Sequence, residues 1–294
     1  MLPPNRSNDA VFETSALNRI VDDPAVLEQV ERQISMLRLR LVVPMLYLQE
    51  IASAADLTQL ERRGKALRRL RDSVPFGFAP NTRGYEFLED GRQLFATPVL
   101  SRRRERRELR GLPGWSRSRF TEADHARVRA HVEGAKARML EFDRRAQGIG
   151  VAREQAGDRG PAATVRVLRD LDQAWFPNLD WLVKRALGGP NARVRWRAVV
   201  RRPERFKAAI AWAGMAFQTM FGALLPASAG HPEAQRLRVK RGAWYDNDMA
   251  ACAAYARFLV ANDADVLHKC SELLKRSLVV FRAISLTDFL NLSV

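Results

Sequence analysis

The chain has 294 residues, 47% of them hydrophobic, enough to bury a sizeable core as one large domain or two small ones. Its 49 Lys and Arg against 33 Asp and Glu give a formal charge of +16, which favours a polyanionic partner, nucleic acid before membrane. The only cysteines, Cys252 and Cys270, fall in helical patterns, which suits reduced core thiols in a cytoplasmic protein better than a disulfide framework, and two cysteines alone cannot make a cysteine-based zinc site. Residues 1–8 lack the apolar centre of a signal peptide, and no apolar run reaches the length of a membrane span.

Residues 10–17 read as a short buried strand running into a polar turn, with a helical turn over 18–21. Asp23 suits a helix cap and Pro24 the first helical position. The helix that follows carries Val26, Leu27, Val30 and Ile34 on one face. Residues 38–43 alternate as a second strand. Pro44 ends it and opens a third helix, with Met45, Leu48 and Ile51 along one side and Glu50 near its middle. Residues 56–71 predict an amphipathic helix with a cationic face. Residues 73–94 contain three glycines and two prolines and read as loop. Residues 101–120 are rich in arginine. Thr121 to Asp124 resemble a capping box opening a long helix to about residue 147.

Residues 148–161 read as a flexible stretch, 162–187 as one or two helices, and 203–225 as a long apolar helix whose Gly214 implies close packing. Residues 244–263 then form a helix opened by acidic residues, followed by the apolar run 258–261 and Asn262-Asp263. A helix over 266–275, a strand over 277–284 and a short terminal turn close the chain. Strands alternating with helices imply parallel pairing through right-handed crossovers. No strand is evident in the middle. The expectation is a three-layer α/β/α core with a mostly parallel sheet, made of residues 1–74 and 236–294. A helical insertion over 75–235 splits it, with the helices near 203–225 packing on the core.

Four carboxylates fall on four of these elements. Glu13 ends the first strand, Glu50 follows the second, Asp246 opens a helix, and Asp263 ends the strand after it. In open α/β sheets, ligands sit beyond the carboxyl ends of the strands. Clustered carboxylates repel one another unless a cation neutralises them, and hard oxygen donors select Mg²⁺ or Mn²⁺. Glu13, Asp246 and Asp263 are the expected metal ligands, with Asp248 as an alternative or auxiliary one. Such an ion activates water and stabilises charge on a phosphoryl group.

The stretch Val11-Phe12-Glu13-Thr14-Ser15-Ala16-Leu17 resembles the first strand of the PIN (PilT N-terminus) domain family, where an Asp is usual at the position of Glu13. Residues 41–50, with Pro44 and Glu50, are similar to the family's second strand and acidic helix. Asp246 with Ala250, Ala251 and Ala253 resembles the third acidic motif, and residues 258–263 the strand ending on the fourth acid. Val279-Val280-Phe281 and residues 287–290 resemble the closing strand and tail. The resemblance implies a PIN-like fold and a metal-dependent endoribonuclease in which Glu13, Glu50, Asp246 and Asp263 are catalytic, supported by Ser15 and Asn262. Two departures stand out: Glu13 is one methylene longer than Asp, and Ala261 replaces a residue that is commonly a hydroxyl.

Arg236, Arg238, Lys240 and Arg241, beside Asp246 in sequence, are the expected nucleic-acid contacts; the run 102–110 is a second candidate. RNA is the expected partner, with single-stranded DNA as the alternative. Two rival readings stand beside the nuclease. One is a catalytically degenerate PIN-like nucleic-acid-binding protein. The other is the toxin of a toxin–antitoxin pair, which adds an antitoxin-like partner; a homodimer is also open. The four histidines are scattered, without the spacing of zinc ligands.

Overall fold

The computed structural model describes residues 5, 7–54, 56–88, 94–110, 112, 121–127, 129–130, 133–134, 137, 198–199, 201–224 and 243–293. Five strands form one all-parallel sheet: β1 (Asp9–Phe12), β2 (Arg40–Pro44), β3 (Phe76–Ala79), β4 (Phe258–Val260) and β5 (Arg282–Ile284). Their order is β3-β2-β1-β4-β5. The helices are α1 (Thr14–Asp22), α2 (Pro24–Met36), α3 (Met45–Ala54), α4 (Leu57–Ser73), α5 (Thr82–Leu88), α6 (Arg102–Glu108), α7 (Lys207–Leu224), α8 (Ala243–Ala253), α9 (Ala264–Lys275) and α10 (Leu286–Leu290).

Side chains on a strand alternate between faces, and the two core clusters divide accordingly. Ala10, Phe12, Leu41, Val43, Phe78 and Val260 point toward α1, α2, α4 and α10. Val11, Val42, Ala79 and Leu259 point toward α7, α8 and α9. The molecule is therefore a three-layer α/β/α fold. Strands covered on both faces read as continuous apolar runs rather than alternating ones, which is the character of residues 10–12 and of Phe258–Val260.

From β1 the chain winds outward through β2 to β3, then returns to place β4 on the other side of β1 and β5 beyond it. The winding direction reverses between β1 and β4. Such a switch point opens a crevice at the carboxyl ends of the two strands, where open α/β sheets place their ligands. At the opposite end of the sheet, the buried Asp9 accepts two bonds from the Arg40 guanidinium, at 2.7 and 2.8 Å, and the Thr97 N–H at 2.9 Å. Those bonds lock the starts of β1 and β2.

Several boundaries differ from the sequence expectation. β1 stops at Phe12, because the Glu13 carboxylate accepts the Ser15 N–H at 2.9 Å and so caps α1. β2 begins only at Arg40, because Arg38 adopts a left-handed turn with φ 51°. Residues 73–94 are not loop throughout. Phe76–Ala79 pairs with Leu41 to Pro44 as an edge strand, and Thr82–Leu88 is helical. The sheet thus continues past residue 74, and the middle of the chain does contain a strand. Of residues 277–284 only Arg282–Ile284 is strand, after a turn in which Ser277 has φ 57°.

Other features match. Asp23 caps α2, accepting the Ala25 and Val26 N–H groups at 3.0 and 3.4 Å, with Pro24 in the first turn. Thr121 and Asp124 bond reciprocally as a capping box. Gly214 of α7 faces Leu273 of α9, and a Cβ at Gly214 would lie 2.5 Å from the Leu273 Cδ2. Cys252 and Cys270 are free and buried, and burial pushes both thiols up to about 12. Among the described residues, no helix is long and apolar enough to cross a membrane.

α7 is anchored by a distant acid. Glu86 of α5 is fully buried and accepts the Ala208 and Ala209 N–H groups at 2.6 and 2.9 Å, and the Tyr255 hydroxyl at 2.6 Å. It supplies acceptors for two of the amides that a helix start leaves without an intrahelical partner.

Candidate metal centre at the switch point

Glu13 directly follows β1, and its backbone N–H donates to the Val260 carbonyl of β4 at 2.9 Å. Asp263 lies three residues beyond Val260 and caps α9, accepting the Asp265 N–H at 2.8 Å. The two acids thus flank the crevice between β1 and β4. Ser15 joins them: its hydroxyl accepts the Asn262 N–H at 3.1 Å and donates to the Glu13 carboxylate. Asn262 in turn accepts the Leu286 N–H at 3.3 Å through its side-chain oxygen.

Glu50 arrives from α3, after β2, and accepts the Thr14 hydroxyl. Asp246 arrives from the first turn of α8. The negative charges of Glu13, Asp263 and Glu50 all act on it. Burial first, and then these neighbours, push its carboxyl up to about 7, against a pull downward from Lys269. Burial, with Asp263 in support, also raises Glu13 above the ordinary carboxylate range. The four carboxylates expected from sequence therefore share one electrostatic neighbourhood.

Asp248 does not join them. Two residues along a helix is a rotation of about 200°, and it turns Asp248 toward Arg83 and Trp212, with the Arg83 guanidinium 4.3 Å from the Trp212 ring centroid. Arg236, Arg238, Lys240 and Arg241 lie outside the described residues.

Two contributors were not singled out in the sequence. Thr14 holds Glu50, and Lys269 is the cation beside Asp246. Lys269 is 3% exposed, and its ammonium donates to the Thr219 hydroxyl at 3.1 Å. The signal was a lysine between Val266 and Leu273 on the apolar face of α9. Gln218, the polar interruption in α7, donates to the Lys269 carbonyl at 2.9 Å.

The donors are carboxylate oxygens from four elements, the hard set that suits Mg²⁺ or Mn²⁺. Among the described residues, no three His, Cys, Asp or Glu side chains are gathered as one ready-made metal cage. Comparisons with family models, with curated proteins and with solved structures find no match for this chain.

Proposed function

We propose that this chain is a PIN-like, metal-dependent endoribonuclease. The observation that carries the reading is the placement of four acids from separate elements around the switch point: Glu13 after β1, Asp263 after β4, Glu50 on α3 after β2 and Asp246 in the first turn of α8, whose carboxyl is raised by burial and by the other three. Such mutual repulsion is what a divalent cation relieves. Glu13, Asp246 and Asp263 would hold the ion, with Glu50 at its side. A bound Mg²⁺ or Mn²⁺ supplies Lewis acidity toward a phosphoryl oxygen and a water of lowered pKa. The chain's own part is positional. Ser15 and Thr14 steer Glu13 and Glu50, and Lys269 limits the charge around Asp246. The formal charge of +16 supports RNA as the substrate.

A second reading, a PIN-like nucleic-acid binder without catalysis, is favoured by one observation. The Glu13 carboxylate already serves as the cap of α1. The two readings separate in a cleavage assay on single-stranded RNA with Mg²⁺, Mn²⁺ or EDTA. The nuclease reading expects divalent-dependent cleavage that is lost in Asp246→Asn and in Asp263→Asn, with folding preserved. RNA binding without cleavage in the native chain supports the binder.

A further inference from the structure

We infer that α6 forms a phosphate-contacting ridge for single-stranded RNA, at a place remote from the carboxylate crevice. This rests on a nucleic-acid partner, not on cleavage. Five of the seven residues of α6 are arginine. The helix is fixed to the body by its few other residues. Glu105 is buried and lies 2.9 Å from the Arg71 guanidinium of α4, and Leu100 and Leu109 enter the core. The arginines are left facing solvent.

The neighbouring helix makes the contrast. On α4, Arg62 and Arg63 pair with Asp22, Lys65 with Glu61, and Arg69 with Glu28 and Glu31. On α6, Arg104 and Arg107 reach Glu108, whereas Arg102, Arg103 and Arg106 have no acidic partner among the described residues. Arg102 with Arg106, and Arg103 with Arg107, are like charges four residues apart, an arrangement that destabilises an isolated helix. A polyanion laid along them removes that repulsion and releases counterions.

The position is set by the topology. Leu100 donates its N–H to the Phe78 carbonyl at 2.9 Å, on the sheet edge, and Glu105 meets Arg71 near the end of α4, before β3 begins. The helix therefore descends toward the amino ends of the strands, whereas the carboxylates lie at the carboxyl ends. Two strand spacings of about 4.8 Å and much of a strand length of about 13 Å separate the two features. Phe95, seven residues before α6 in sequence, is 67% exposed, and an exposed ring can stack on an unpaired base. A bilayer would demand an exposed apolar helix face, and α6 has none.

The test is binding of a labelled single-stranded RNA of about 20 nucleotides to the full chain in EDTA, across a salt series. The triple variant Arg102→Gln, Arg103→Gln, Arg106→Gln is expected to lose about tenfold in affinity and to lower the salt slope by about 2, three contacts at roughly 0.7 each. The pair Lys65→Gln, Arg68→Gln on α4 should change both little. Phe95→Ala should weaken binding several-fold at an unchanged slope. Circular dichroism checks that each variant folds. A triple variant with native slope and affinity overturns the inference, as does a native chain that binds phosphatidylserine vesicles but not RNA. Because no divalent ion is present, failure here is separate from failure of the nuclease reading, which the cleavage assay decides.

Discussion

The Ser15 hydroxyl accepts the Asn262 N–H at 3.1 Å while donating to Glu13, so one side chain ties the end of β1 to the end of β4. Ser15→Ala removes both bonds, including the one from Asn262 that crosses the switch point. We predict a loss of about 1 kcal/mol in unfolding free energy, the net worth of such a bond. Urea denaturation measures it. Stability equal to the native chain would show that the tie contributes nothing.

Lys269 pulls the Asp246 carboxyl down while three acids push it up. Lys269→Met keeps the volume and removes the charge, so Asp246 should titrate above its native value of about 7. Carbon NMR of the side-chain carboxyls reads this directly. A midpoint that stays in place, or moves down, contradicts the assignment of Lys269 as the neighbouring cation.

Burial raises the Glu86 carboxyl from 4.5 to about 8, despite the bonds it accepts. A group raised in the folded state binds its proton more tightly there. Its contribution to stability is complete below the unfolded value and is lost as pH rises through the folded one. Native stability should therefore decline between about pH 5 and pH 9, and Glu86→Gln, which cannot ionise, should flatten the decline. Thermal melts of the two proteins across that range supply the comparison. Parallel pH profiles would assign the decline to other groups.

Asp9→Ala removes two of the bonds of the part-buried Arg40 guanidinium, leaving the one to the Thr97 carbonyl, and takes the acceptor of the Thr97 N–H. Removing one partner of a buried pair costs about 3 kcal/mol or more. The same experiment should leave metal-dependent cleavage intact at a temperature where the variant is folded, since Asp9 lies at the opposite end of the sheet. Loss of cleavage in the folded variant would mean that the two ends are not independent.

The acids at the crevice were legible in sequence because each sits beside a strong boundary signal. Asp263 closes an apolar run, and Glu13 follows one. Asp246 opens a helix of small residues. The spacing to Ala250 and Asp263 favours Asp246 over Asp248 in the sequence but keeps Asp248 as an auxiliary ligand, which helical rotation removes by turning it toward Arg83. β3 was hidden for a physical reason. Phe76-Gly77-Phe78-Ala79 is short, contains glycine and is bracketed by Pro75 and Pro80, so its strand character comes from pairing with β2. Gly77 is needed for close packing, because a Cβ there would meet Val99 at 2.6 Å. Lys269 was hidden because a lysine on an apolar helix face signals a buried partner without saying which. That partner, Thr219, lies 50 residues away.

Direct binding of Mn²⁺ to the full chain, measured by titration calorimetry at pH 8, tests the central claim most closely, since it needs no substrate. The native chain and Asp248→Asn should bind the ion alike, because Asp248 faces Arg83. Asp246→Asn and Asp263→Asn should each weaken binding at least about tenfold, as loss of a charged oxygen ligand does. Undetectable binding by the native chain, or equal binding by all four proteins, would contradict a metal centre built on these carboxylates.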